Sequence, residues 1–136
     1  MIYLDAAALV KLVRAEAETA ALRLWLRQHR TLPRITSVLS EIEVARAVRR
    51  AAPNRVRDVG RLMRQLDRVE LTEPICRRAA KYDDVHLRSL DAIHLATAQE
   101  AARVEATALT AFVTYDQRLL DAAKALDLRV VAPAGD

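Results

Sequence analysis

Apolar residues along this chain fall into short unbroken runs and longer stretches with helical spacing. Met1 to Leu4 reads as a buried strand, followed by a short helix from Ala6 to Arg14. A second helix spans about Glu18 to His29, where Leu22, Trp25 and Leu26 recur on one side; that stripe reads as core, with a partner contact as the alternative. Pro33 introduces a strand from Arg34 to Thr36, and Ser37 or Ser40 is placed to cap a helix running towards Ala52 and stopping at Pro53. Asn54 is placed to cap a helix through about Leu66, and Val69 to Leu71 reads as a third strand. Thr72, with Pro74 two residues on, opens a helix towards Asp84. Ser89 is the expected cap of a long helix containing Asp91. Leu109 to Thr114 forms the fourth strand, Gln117 to Leu126 the last helix, and Arg129 to Val131 a terminal edge strand. Strands alternating with helices predict an α/β fold, a parallel sheet with helices on both faces.

The length of 136 residues suits one domain, 1–136, able to bury roughly two-thirds of its unfolded surface. Aromatics make up only 4% of a composition that is 52% hydrophobic, which fits a helix-rich soluble protein. No apolar run approaches the roughly 20 residues of a membrane span, and no signal peptide is expected at the N-terminus. Cys76 is the only cysteine, so there is no internal disulfide, and a cytoplasmic location is expected. Two glycines, Gly60 and Gly135, leave no glycine-rich phosphate loop or dinucleotide fingerprint. No Ser-His-Asp pattern or Cys-X-X-Cys pair supports nucleophilic catalysis or structural zinc.

The net charge is +4, and its basic side is nearly all arginine, with lysine only at Lys11, Lys81 and Lys124. Arginine's planar fork suits phosphate, although a GC-rich genome produces the same bias. Against this basic background four acids stand where predicted strands give way to helices: Asp5, Glu43, Asp91 and Asp116. Such positions converge at one crevice in a parallel sheet. Gathered carboxylates repel unless a positive charge intervenes, and oxygen-rich clusters suit Mg²⁺ or Mn²⁺.

Each acid also has a plainer reading. Asp5 interrupts an apolar stretch, where a charge is costly unless paired or metal-bound; the alternative is a helix cap. Glu43 competes with Glu41, which points to nearly the opposite side of the same helix. Glu43 shares its side with Arg46 and Arg50, a stripe that suits either a phosphate-binding cleft or an exposed ion-paired face. Asp91 complements a helix dipole but leads a mostly apolar helix; His94, on its face, reads as packed and hydrogen-bonded. Asp116 follows an apolar strand and is also placed to cap the next helix. Asp58, Asp67, Asp83, Asp84, Asp121 and Asp127 read as solvent-facing.

At these four positions the chain resembles a PIN-domain ribonuclease of the VapC toxin type. The resemblance is carried by Ile2-Tyr3-Leu4-Asp5-Ala6-Ala7-Ala8-Leu9-Val10-Lys11, by Thr36 to Ala47 around Glu43, by Leu87 to Ala98 around Asp91, and by Val113-Thr114-Tyr115-Asp116. It implies a PIN-like three-layer fold, with five parallel strands in the order 3-2-1-4-5 and the acids at the strands' C-terminal ends. It assigns the glutamate to Glu43. It also implies a Mg²⁺- or Mn²⁺-dependent endoribonuclease whose metal ligands and catalytic residues are Asp5, Glu43, Asp91 and Asp116; Arg46 and Arg50, from their place on the Glu43 side of the helix, are the candidate RNA-binding residues. The partners it implies are an RNA substrate, a cognate VapB-like antitoxin and a second copy in a homodimer. The chain departs from many relatives at Ala7, where a hydroxyl often orients the first acid, and at Leu119, where some carry a further acid. Other classes remain to be separated: a non-catalytic PIN-like regulator binding RNA or protein, and a phospho-acceptor receiver domain. The latter wants a lysine after its last strand, whereas here the basic residue near the end is Arg129, inside the strand.

Overall fold

The computed structural model describes residues 1–135. Its sheet is built from β1 (Ile2–Leu4), β2 (Arg34–Ser37), β3 (Asp67–Val69), β4 (Ala111–Val113) and β5 (Val130–Val131). All neighbours pair in parallel, in the order β3-β2-β1-β4-β5 that the resemblance implies. β1 is central, with Tyr3 level with Ile35 on one side and Phe112 on the other. The helices between strands are α1 (Ala6–Val13), α2 (Thr19–Gln28), α3 (Ser40–Ala51), α4 (Val56–Met63), α5 (Glu73–Ala80), α6 (Ser89–Val104) and α7 (Gln117–Ala125).

Alternation along the strands divides the interior into two cores. Ile2, Leu4, Ala111 and Val113 face Leu9, Leu22, Leu26, Val44, Val48 and Met63, the buried stripes of α1 to α4. Tyr3, Ile35 and Phe112 face Leu95, Ala98, Leu119 and Ala123 of α6 and α7. Both faces of the sheet are therefore covered, which explains why β1 and β4 are wholly apolar rather than alternating. Leu22 and Leu26 are buried, and Trp25 packs beside them against the same core, stacked on His29.

Most element ends fall within a residue or two of expectation, the usual play at frayed termini. Larger differences have local causes. β3 begins at Asp67 rather than Val69, because β2 templates it: Ile35, Thr36 and Ser37 are level with Asp67, Arg68 and Val69. An edge strand tolerates exposed polar residues, so nothing apolar marks its start. Asn54 caps nothing; Pro53 to Arg55 form a single 3₁₀ turn, and α4 starts after it and stops at Met63. α5 stops at Ala80, well short of Asp84. Arg88, not Ser89, holds the cap position of α6, and Asp91 is its third residue. Ser37 bonds the Leu39 amide just ahead of α3. The Thr36 hydroxyl donates to the Leu4 carbonyl at 2.6 Å and so accepts from Ser40, also at 2.6 Å. That bridge locks the end of β1 to the start of α3.

Candidate active site

Asp5 leaves the end of β1 and caps α1. Its Oδ1 accepts from the Ala8 amide at 2.8 Å, and its Oδ2 accepts from the Thr114 hydroxyl at 2.5 Å. Only 3% of Asp5 is exposed. Burial pushes its carboxyl up to about 6, against the lowering effect of Thr114, the Ala8 amide and His94. Thr114 follows β4, and its oxygen also accepts from the Asp116 amide at 3.1 Å. One hydroxyl thus ties the first acid to the last. It also gives Asp5 a hydroxyl partner from just beyond β4, where Ala7 offers none.

Asp116 caps α7 through Oδ1, which accepts from the amides of Arg118 and Leu119 at 2.9 and 3.2 Å. For Asp5 and Asp116 the capping and site readings are compatible, since each cap uses one oxygen. Asp91 is 8% exposed and receives Arg88 Nε on Oδ2 at 3.0 Å. The same guanidinium donates from Nη2 to Asp116 Oδ2 at 3.3 Å. Leu119, where some relatives carry a further acid, is a core residue.

Glu43 lies in the first turn of α3 and turns inward; Glu41 pairs instead with Arg68 on β3. Glu43 Oε1 accepts from His94 Nε2 at 2.8 Å, and His94 Nδ1 meets the Tyr3 hydroxyl at 2.7 Å. Burial pulls His94 down, yet the hydrogen bond and charge of Glu43, aided by Asp5 and Asp91, outweigh it and hold the imidazole above its usual value. Burial, reinforced by the nearby Asp5 charge, keeps the Tyr3 phenol well above its usual value, so it stays protonated. Neutral or charged, His94 donates from Nε2 to Glu43; only the Tyr3 bond reverses. Arg46 and Arg50 are exposed on α3.

Thr114 and Arg88 therefore link three of the carboxylates, Asp5, Asp91 and Asp116, at the C-terminal end of the sheet, and His94, bonded to Glu43, also feels the charges of Asp5 and Asp91. Hard oxygen donors of this kind suit Mg²⁺ or Mn²⁺. As the side chains lie, no three metal-ligating residues among those described stand close enough together to hold an ion. A cation does stand among them, however: the Arg88 guanidinium bridges two of the acids. In chemistry the donor set, four carboxylates, suits a divalent ion, and Arg88 now takes up one oxygen each of Asp91 and Asp116. A cavity of about 300 Å³ opens beside Asp91, lined by Asp84, His86 and Arg118 among others. Thr114 and Arg88 are the contacts that sequence reasoning missed. A threonine in a strand is unremarkable, and Arg88 is one of many arginines; only Thr114's burial and Arg88's place three residues before Asp91 would have marked them.

The chain is similar to known proteins in sequence and in fold. The sequence profile of the PIN domain family matches residues 2–125. Ribonuclease VapC35 of Mycobacterium tuberculosis is 52% identical over 133 residues, covering 98% of this chain and 97% of its own. Ribonuclease VapC47 of the same organism is 40% identical over 136 residues, covering 98% and 97%. Among solved structures, M. tuberculosis VapC20, described as a Sarcin-Ricin loop cleaving toxin, superposes with a TM-score of 0.72 at 16% identity, over 98% of this chain and 100% of that one. A toxin-antitoxin complex from Klebsiella pneumoniae superposes with a TM-score of 0.67, also at 16% identity, over the whole of both chains. The sheet order, the family match over residues 2–125 and the near full-length match to VapC ribonucleases agree: this chain belongs to the PIN-domain family, in its VapC branch.

Proposed function

We propose that this chain is the endoribonuclease toxin of a toxin–antitoxin pair and that it hydrolyses RNA phosphodiester bonds with Mg²⁺ or Mn²⁺. The observation that carries this reading is the gathering of Asp5, Asp91 and Asp116 through Thr114 and Arg88, with Glu43 held nearby on His94, in a chain 52% identical to Ribonuclease VapC35. Asp5, Asp91, Asp116 and Glu43 would hold the ion, directly or through water. Bound there, it would activate a water and stabilise charge in an in-line displacement, leaving a 5′-phosphate and a 3′-hydroxyl. Thr114 fixes the Asp5 carboxylate, and the Tyr3–His94 pair aims Glu43. Arg46 and Arg50 sit on the exposed side of α3, where they would hold the RNA backbone. The partner is a small antitoxin whose tail lies along the helices and delivers a basic side chain to the acids. A homodimer in the cytoplasm completes the proposal; no helix among the described residues is long and apolar enough to cross a membrane.

Total RNA incubated with Mg²⁺ should be cleaved by the native protein, and Asp5→Asn and Asp91→Asn should each lose at least roughly a hundredfold in rate. Equal activity in both variants would remove the proposal, and cleavage that persists in EDTA would remove the metal from it. A second reading, a PIN-like regulator that binds without cutting, is favoured by one observation: Arg88 already neutralises two of the acids. Mn²⁺ binding by the native protein would exclude a purely structural acidic rim.

A further inference from the structure

Arg88 spans Asp91 Oδ2 at 3.0 Å and Asp116 Oδ2 at 3.3 Å, the latter being the oxygen that the α7 cap leaves unused. Among the described residues, no other hydrogen bond or ion pair fastens the arginine side chain. Its side chain is 54% exposed, and although its backbone holds the cap position of α6, the side chain makes no capping bond. The guanidinium is thus held by its two carboxylates and is free to swing outward without undoing a helix or a core contact. Its planar fork matches a phosphate as well as it matches a carboxylate.

A divalent cation and a guanidinium compete for these two carboxylates, because their positive charges repel at such short range and each draws on the same negative charge. We infer that Arg88 works in two positions: at rest it pairs with Asp91 and Asp116, and with metal in place it turns to hold the scissile phosphate. This rests on the nuclease reading above and adds to it a substrate-binding residue supplied by the chain itself. It carries an unusual signature. Loss of Arg88 should help the metal to bind and yet hinder cleavage, whereas a structural arginine would weaken both.

The test is calorimetric titration of Mn²⁺ into the native protein, Arg88→Gln and Arg88→Lys, paired with total-RNA cleavage at saturating Mn²⁺. Arg88→Gln should bind Mn²⁺ roughly three- to tenfold more tightly, given two partly exposed ion pairs removed. Its cleavage rate should fall by at least about tenfold. Arg88→Lys keeps the charge but not the fork, so it should fall between the two in both measurements; it also serves if the glutamine variant does not fold. Unchanged or weaker Mn²⁺ binding in Arg88→Gln, or full cleavage at saturating metal, would overturn the inference. If the native protein binds Mn²⁺ and cleaves RNA while the variants match it, only the role of Arg88 is lost. If none binds Mn²⁺, the metal-dependent reading falls with it.

Discussion

Asp5 concentrates the cost of building this site, since a carboxyl with 3% exposure prefers its proton. With its folded value near 6 and an ordinary value of 3.8, the folded chain binds that proton more tightly than the unfolded one. The sign follows: below about pH 4 both states are protonated and nothing is lost, and as pH rises through 6 the unfolded state gains by ionising first. A rise of that size in the carboxyl's pKa corresponds to about 3 kcal/mol at most. In EDTA, native stability should therefore decline relative to Asp5→Asn between about pH 4 and 7, with the variant the more stable at pH 7.5 by roughly 1–3 kcal/mol. Chemical denaturation across that range checks it, and parallel curves would show that burial does not govern Asp5. Metal bound to the carboxylate should erase the difference by favouring its charged form.

Helix α3 carries two jobs on one surface, with Val44 and Val48 buried in the core and Arg46 and Arg50 exposed. If those arginines grip RNA phosphates, the double variant Arg46→Ala/Arg50→Ala should weaken binding to a catalytically inactive protein. It should also flatten the salt dependence by about 1–1.5 in log–log slope. Fluorescence anisotropy at several salt concentrations reads this, and an unchanged slope would place the backbone contacts elsewhere. The same helix shows what sequence can and cannot disclose. Its apolar stripe is plain from spacing, but spacing leaves Glu41 and Glu43 open; the ion pair of Glu41 with Arg68 and the bond of Glu43 to His94 distinguish them only in three dimensions. Asp5 is legible because a charge breaking an apolar run is conspicuous. Thr114 is not, because β propensity alone accounts for a threonine there. β3 is the poorest case: Asp67 and Arg68 are strand residues only because β2 lies beside them. The sheet order came with the family resemblance, since alternating strands and helices alone allow other windings.

In the molecule as a whole, the proposed ion, held by four remote segments, would bind the folded chain and not the unfolded one. A hundredfold excess of Mn²⁺ over its dissociation constant should stabilise the protein by about 2.7 kcal/mol, a rise of several degrees in Tm. Differential scanning fluorimetry should show that rise in the native protein and lose it in Asp91→Asn; a flat response in both would argue against a specific metal centre. The bond from Thr114 to Asp5 spans 109 positions, and the amino group of Met1 bonds the Ala108 carbonyl across 107. Contacts so distant in sequence form late, after the long loop between them has been closed. While a ribosome is still making this chain, Asp5 has no Thr114 to meet. On a growing chain the carboxylates therefore cannot come together before synthesis has passed Asp116, so the site is assembled only by a chain already long enough to close its own sheet.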